Sequence, residues 1–119
     1  YYVHADGEVV TEASKRQDQY KKGSMAPYYY PYRYMALLDH NGQYAAMARW
    51  IEKTAQKRLA NTLIYFLEDS SLRSKMPVSE VLPHNYKKIF SHSALARIRR
   101  DNVSATILAK NTTFFSFHI

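Results

Sequence analysis

Between Gln43 and Leu67 the apolar residues Tyr44, Met47, Ala48, Ile51, Ala55, Leu59, Leu63 and Phe66 return every three or four positions, and this spacing constrains the fold more than any other feature of the chain. At 3.6 residues per turn such positions line one stripe, while Arg49, Glu52, Lys53 and Lys57 fall largely elsewhere. The spacing predicts an amphipathic helix over 43–67, interrupted near Asn61. A second helix is predicted from Tyr28 to Leu38. Pro31 lies near its start, where a missing amide is tolerated, and Asp39, His40, Asn41 and Gly42 form its stop signal. Two helices joined by so short a turn pack as an antiparallel hairpin, the unit of bundles, toroids and solenoids. One such pair buries its own stripe poorly, so the sequence leads us to expect further helices before residue 1, or self-association.

After Pro77 the period changes. Ser79 to Tyr86, with Pro83, reads as an extended connector. Ala94, Ala96 and Ile98 then alternate with Leu95, Arg97 and Arg99 as in a strand, and Arg100-Asp101-Asn102 is a turn signal. Val103 to Ala109, rich in β-branched residues, and Thr113 to Ile119, rich in phenylalanine, supply two more strands around Lys110-Asn111. The expected fold class is α+β: a helical part over 1–76, a connector over 77–92, and an antiparallel meander over 93–119. The strand pattern runs to Ile119, and its uncovered edge leads us to expect that this is a piece of a longer chain.

The segment from Asp6 to Tyr34 mixes acids and bases with six of the eleven tyrosines, namely Tyr20, Tyr28, Tyr29, Tyr30, Tyr32 and Tyr34. A tyrosine ring can lie against a sugar or a base and its phenol can donate or accept a proton, so an open cluster marks a contact surface. An aromatic seam between helices is the competing reading. Seventeen Lys and Arg against ten Asp and Glu leave a net charge of +7, which favours a polyanionic partner. The absence of cysteine excludes disulfides and thiolate metal sites. No apolar run reaches the length of a membrane span. Only three glycines are present and none forms a phosphate loop, and no GxSxG or Ser/His/Asp arrangement occurs.

Helices followed at once by an antiparallel sheet, the Asp6-Gly7-x-x-x-x-Glu12 loop, the tyrosines from Tyr20 to Tyr34 and the run SHSALARIRRDNVSATILAKNTTFFSFHI together resemble the heparinase II/III-like polysaccharide lyases. The resemblance implies the end of an α/α toroid leading into the first strands of a β-sandwich. It also implies β-elimination on uronate-containing polysaccharide. A base removes the proton alpha to the carboxylate, polar groups stabilise the enolate, and an acid protonates the leaving oxygen. The family pattern expects a tyrosine a few residues after the glutamate, but position 16 here is Arg16 and the first tyrosine beyond is Tyr20. The implied roles are Tyr20 as acid and base, and Glu12, Arg16, Lys21, Tyr28, Tyr29, Tyr30 and Tyr32 as substrate contacts, the guanidinium being suited to a carboxylate or sulfate. A periplasmic or extracellular location and the remainder of the same chain as partner are implied in the same way.

His4, His40, His84, His92 and His118 show no HxH or HExxH spacing, so no metal site or cofactor is expected within this segment. The resemblance implies a structural divalent metal elsewhere in a longer protein, with His118 standing where such a motif could begin. Two readings from other classes remain. One is a basic binding module for polysaccharide or single-stranded nucleic acid, with Arg97, Arg99 and Arg100 beside Phe114, Phe115 and Phe117. Its aromatics fall on both strand faces and no RNP-like motif accompanies them, which makes nucleic acid the weaker partner. The other is a purely structural joint between a helical domain and a sheet domain.

Overall fold

The computed structural model describes residues 1–13, 23–110 and 114–119. It is α+β and divides into two compact units. Met25–Leu82 form a helical unit, while Tyr1–Ser24 and Pro83–Ile119 form a sheet unit.

In the helical unit, α1 spans Tyr29–Leu38, entered through a short 3-10 turn at Ala26–Tyr28 with proline in its first positions. The chain turns through His40, whose φ of 49° is left-handed, and the Asn41 side chain accepts from the amides of Gln43 and Tyr44 at 2.9 and 3.1 Å. That cap starts α2, Gly42–Ala55, and agrees with the predicted boundary. Ala36, Ala45, Ala48 and Ile51 are sealed from water, the small side chains letting the two helices approach closely. The long second helix does not continue to Leu67. At Ala55 the backbone leaves the helix, a 3-10 segment covers Gln56–Thr62, and α3 is only Leu63–Glu68. The break comes earlier than Asn61, and Leu63, Ile64 and Leu67 are consequently exposed although the period placed Leu63 on the buried stripe.

Two arginines pin the segment that follows. Arg33 Nε donates to Leu72 O at 2.6 Å and its Nη2 to Ser74 O at 3.1 Å, and Arg49 Nη1 donates to Pro77 O at 2.9 Å. Gly42 lets this segment pass close by. A Cβ there would stand 2.7 Å from Val78 O, and Glu80 N donates to Gly42 O at 3.0 Å.

The sheet unit is a four-stranded antiparallel meander in sequence order: β1 Asn85–Phe90, β2 Leu95–Arg100, β3 Val103–Leu108 and β4 Phe115–His118. Three of these strands match the predicted meander. The first lies within the predicted connector, because Lys87 and Lys88 mask its alternation as they protect an edge strand. Asp101, at φ 47°, makes the tight β2–β3 turn.

Residues 1–13 and 23–24 belong to the sheet unit, whereas the sequence reading kept them with the helices. Val3 pairs with Val9 and Val9 with Gly23, and Gly7 at φ 93° turns the chain between them. The fully buried Arg97 holds this segment, donating from Nε to Tyr1 O at 2.9 Å and from Nη2 to Val3 O at 3.0 Å. Among the described residues, no helix is long and apolar enough to cross a membrane.

Candidate functional site

Chemistry-bearing side chains converge where the Asp6–Glu12 loop meets β4. Alternation along the strands puts Arg97, Ser104, Thr106, Ser116 and His118 on one face of the sheet, and the N-terminal segment lays His4, Asp6 and Glu12 against them.

The hydrogen bonds assign the protons. Arg97 Nη1 lies 3.2 Å from His4 Nδ1 and can only donate, so Nδ1 is an acceptor and the His4 proton sits on Nε2. Ser104 Oγ accepts from Ala5 N at 2.8 Å and stands 3.3 Å from the same Nδ1, which fits that tautomer. His4 Nε2 faces Glu12 Oε1 at 2.8 Å, and Ser116 donates to the same oxygen. Burial alone would raise the Glu12 carboxyl, but the donors on His4 and Ser116 outweigh it and hold the group down at about 2. Glu12 is therefore an ionised, buried carboxylate at neutral pH.

His118 stacks on His4 with ring centroids 3.5 Å apart and planes 18° from parallel. Its Nδ1 meets Asp6 Oδ2 at 2.8 Å, and its Nε2 lies 3.6 Å from Glu12 Oε1. Asp6 is held below the usual carboxylate range. Partial burial opposes this, but the His118 hydrogen bond and the Glu8 amide, which donates to Oδ1 at 3.1 Å, prevail. A carboxylate fixing Nδ1 orients the ring and leaves Nε2 to take or give a proton, the positioning logic of acid–base histidines. The His118 side chain is 20% exposed against 1% for His4, so His118 is the member that a ligand can reach.

Ligand atoms of His4, Glu12 and His118 lie within 4.8 Å of one another, as do those of Asp6, Glu8 and His118. Neither set fits a metal as arranged. Nearly parallel stacked imidazoles aim their lone pairs side by side and not at one point about 2 Å away. Arg97 also keeps the His4 proton on the nitrogen that would have to bind, and Asp6 occupies His118 Nδ1 in the second set.

Of the residues singled out from sequence, Glu12 and His118 are thus brought together. Tyr20, Arg16 and Lys21 lie outside the described residues. Tyr28, Tyr29, Tyr30 and Tyr32 belong to the helical unit. Tyr29 is buried in packing, its ring stacked on Phe66 and its phenol donating to Glu52, while burial and that carboxylate push the phenol up to about 12. Tyr30 stacks between Tyr65 at 4.5 Å and Tyr34 at 6.1 Å, Tyr32 lies 6.1 Å from Tyr44, and Tyr28 is exposed.

Sequence reasoning missed His4, Arg97, Ser104 and Ser116. A local signal existed for two of them: Arg97 shares strand parity with Leu95, and Ser104, like Thr106, shares parity with Leu108, which marks a polar set on a buried face. His4 had none, because its partners on the sheet, Arg97 and Ser104, lie about a hundred residues away. Comparison of the chain with family models, with curated proteins and with solved structures finds no match.

Proposed function

We infer that the chain is part of a longer protein that acts on acidic, uronate-containing polysaccharide by β-elimination, in the manner of the heparinase II/III-like lyases that its sequence resembles. In this reading the helical unit corresponds to the end of an α/α toroid and the sheet unit to the first strands of a β-sandwich. The observation that carries it is the meeting of the Asp6-Gly7…Glu12 loop with His118, an oriented imidazole beside an ionised carboxylate. β-Elimination needs a base for the proton alpha to a carboxylate, cationic neutralisation of the enolate and a proton for the leaving oxygen. His118 Nε2, with Nδ1 held by Asp6, supplies a proton acceptor. Tyr20 is the acid and base candidate of the loop, and Arg16 and Lys21 are its cationic contacts for a uronate. Tyr28, Tyr30 and Tyr32 offer ring surface for sugars, and a periplasmic or extracellular location follows from the same reading.

The test is an eliminase assay of the full parent chain on a panel of uronate polymers, read by ultraviolet absorbance of the unsaturated product. Product is expected with at least one polymer, and it should fall by about two decades or more in His118→Ala and Tyr20→Phe. Silence of the folded protein across the panel would overturn the reading. Full turnover in both variants would overturn the residue roles.

A further inference from the structure

The sheet hides its polar face and shows its apolar one. Register aligns Ile89, Ala96, Ile107 and Phe115 in one row across the four strands, and Lys87, Ile98, Ala105 and Phe117 in the next. By strand alternation Asn85, Arg100, Val103 and Ile119 share that face. Ile89 is 64% exposed, Ile107 43%, Phe115 51%, Phe117 54% and Ile119 80%. Taking about 200 Å² for a fully presented large side chain, these five offer on the order of 600 Å² per copy. A patch of that size is at the upper limit for a monomer.

We propose that this face is closed by the same face of a second copy of the chain, the two sheets forming a sandwich about a twofold axis parallel to the strands. The face itself selects this occupant. Its aromatic side chains, Phe115 and Phe117, lie on the edge strand β4, and its smallest, Ala96 and Ala105, lie on the central strands β2 and β3. A twofold along the strands lays β4 of one copy over β1 of the other and β3 over β2, so Phe115 meets Ile89, Ile107 meets Ala96 and Ile98 meets Ala105. The same rotation sets Phe117 over Lys87 of the second copy, an ammonium against a ring face. The remaining polar members, Asn85 and Arg100, share the end row and stay at the rim. The joint area, on the order of 1,200 Å², reaches the lower end of stable interfaces, as a reversible dimer requires.

The experiment is sedimentation velocity on the whole chain from the micromolar to the submillimolar range. The expected result is a mass rising from 13.9 kDa toward twice that value. Ile107→Lys with Phe117→Lys should stay monomeric throughout, with an unchanged circular dichroism spectrum because both side chains face solvent in the single chain. Leu67→Lys, in the helical unit, should dimerise as the parent does. The cysteine-free sequence permits a second readout: Ile89→Cys and Phe115→Cys chains, mixed and oxidised, should cross-link to each other and neither to itself. A parent monomeric at every concentration, or a dimer that survives the lysine pair, would overturn the proposal. Self-cross-linking of either cysteine variant would overturn the axis.

Discussion

In the helical unit the residues sealed from water are Ala36, Ala45, Ala48, Ile51 and Leu72, whereas the sealed face of the sheet carries Arg97, Ser104 and Thr106 beside Leu95 and Leu108. The first interior is held by dispersion and apolar burial, which tolerate exchange among side chains of similar volume. The second depends on directional bonds whose donors and acceptors must each find a partner, so removing one strands another. Titration separates the units as well. The sheet unit keeps carboxylates ionised against burial, and the helical unit keeps a phenol neutral.

The sharpest way to break this contrast is Arg97→Ala. It removes every bond from the guanidinium to the carbonyls of Tyr1, Val3 and Ala105 and to His4 and Thr106. A loss of about 3–5 kcal/mol in the sheet unit is expected by urea unfolding, with N-terminal amides losing hydrogen-exchange protection before those of α1 and α2. Equal loss of protection in both units would mean that they do not respond separately.

Acid should act on the sheet unit. The Glu12 carboxyl is depressed from 4.5 to about 2, so its contribution is complete above about pH 4.5 and disappears as pH falls through 2, a loss of about 3 kcal/mol. Asp6 adds in the same direction. Thermal melts between neutral pH and the acid limit should show this loss, and Glu12→Gln should flatten that limb while lowering stability at neutral pH.

In the helical unit, Gly42→Ala forces a Cβ against Val78 O and should cost about 1–3 kcal/mol, seen as a lower urea midpoint with an unchanged slope. The smallest effect is expected from Tyr29→Phe, about 1 kcal/mol for the lost bond to Glu52. With the phenol raised from 10 to about 12, its contribution is complete below about pH 10 and lost as pH rises through 12, so the variant should lack that alkaline limb. An acid limb in the sheet unit and an alkaline one in the helical unit would sharpen the contrast between them.

Helical periodicity was readable because its signal is local. Tyr44, Ala48 and Ile51 report their own neighbours on one stripe, and the Asn41 cap sits beside the helix it starts. An interruption was readable near Asn61, but its earlier start after Ala55 was not, since Gln56–Ala60 hold no helix breaker and tertiary context decided it. Three strands announced themselves by alternation, and β1 was hidden by its two lysines. The candidate site was legible in part. Glu12 and His118 stood out singly, but nothing near either position shows that Asp6-Gly7 turns one onto the other, and His4 became visible only through the Val3–Val9 pairing.

Arg97 grips the first residues of the chain through carbonyl oxygens, not side chains. Such a grip is blind to identity: any amino acid that keeps an extended backbone at positions 1 and 3 presents the same two acceptors. Sequence drift at Tyr1 and Val3 is therefore nearly free for the clamp, while a one-residue register slip would be ruinous, because it would carry His4 out of reach of Arg97 and Ser104 together. The arginine thus works as a ruler for the segment, measuring its position along the sheet without reading its letters.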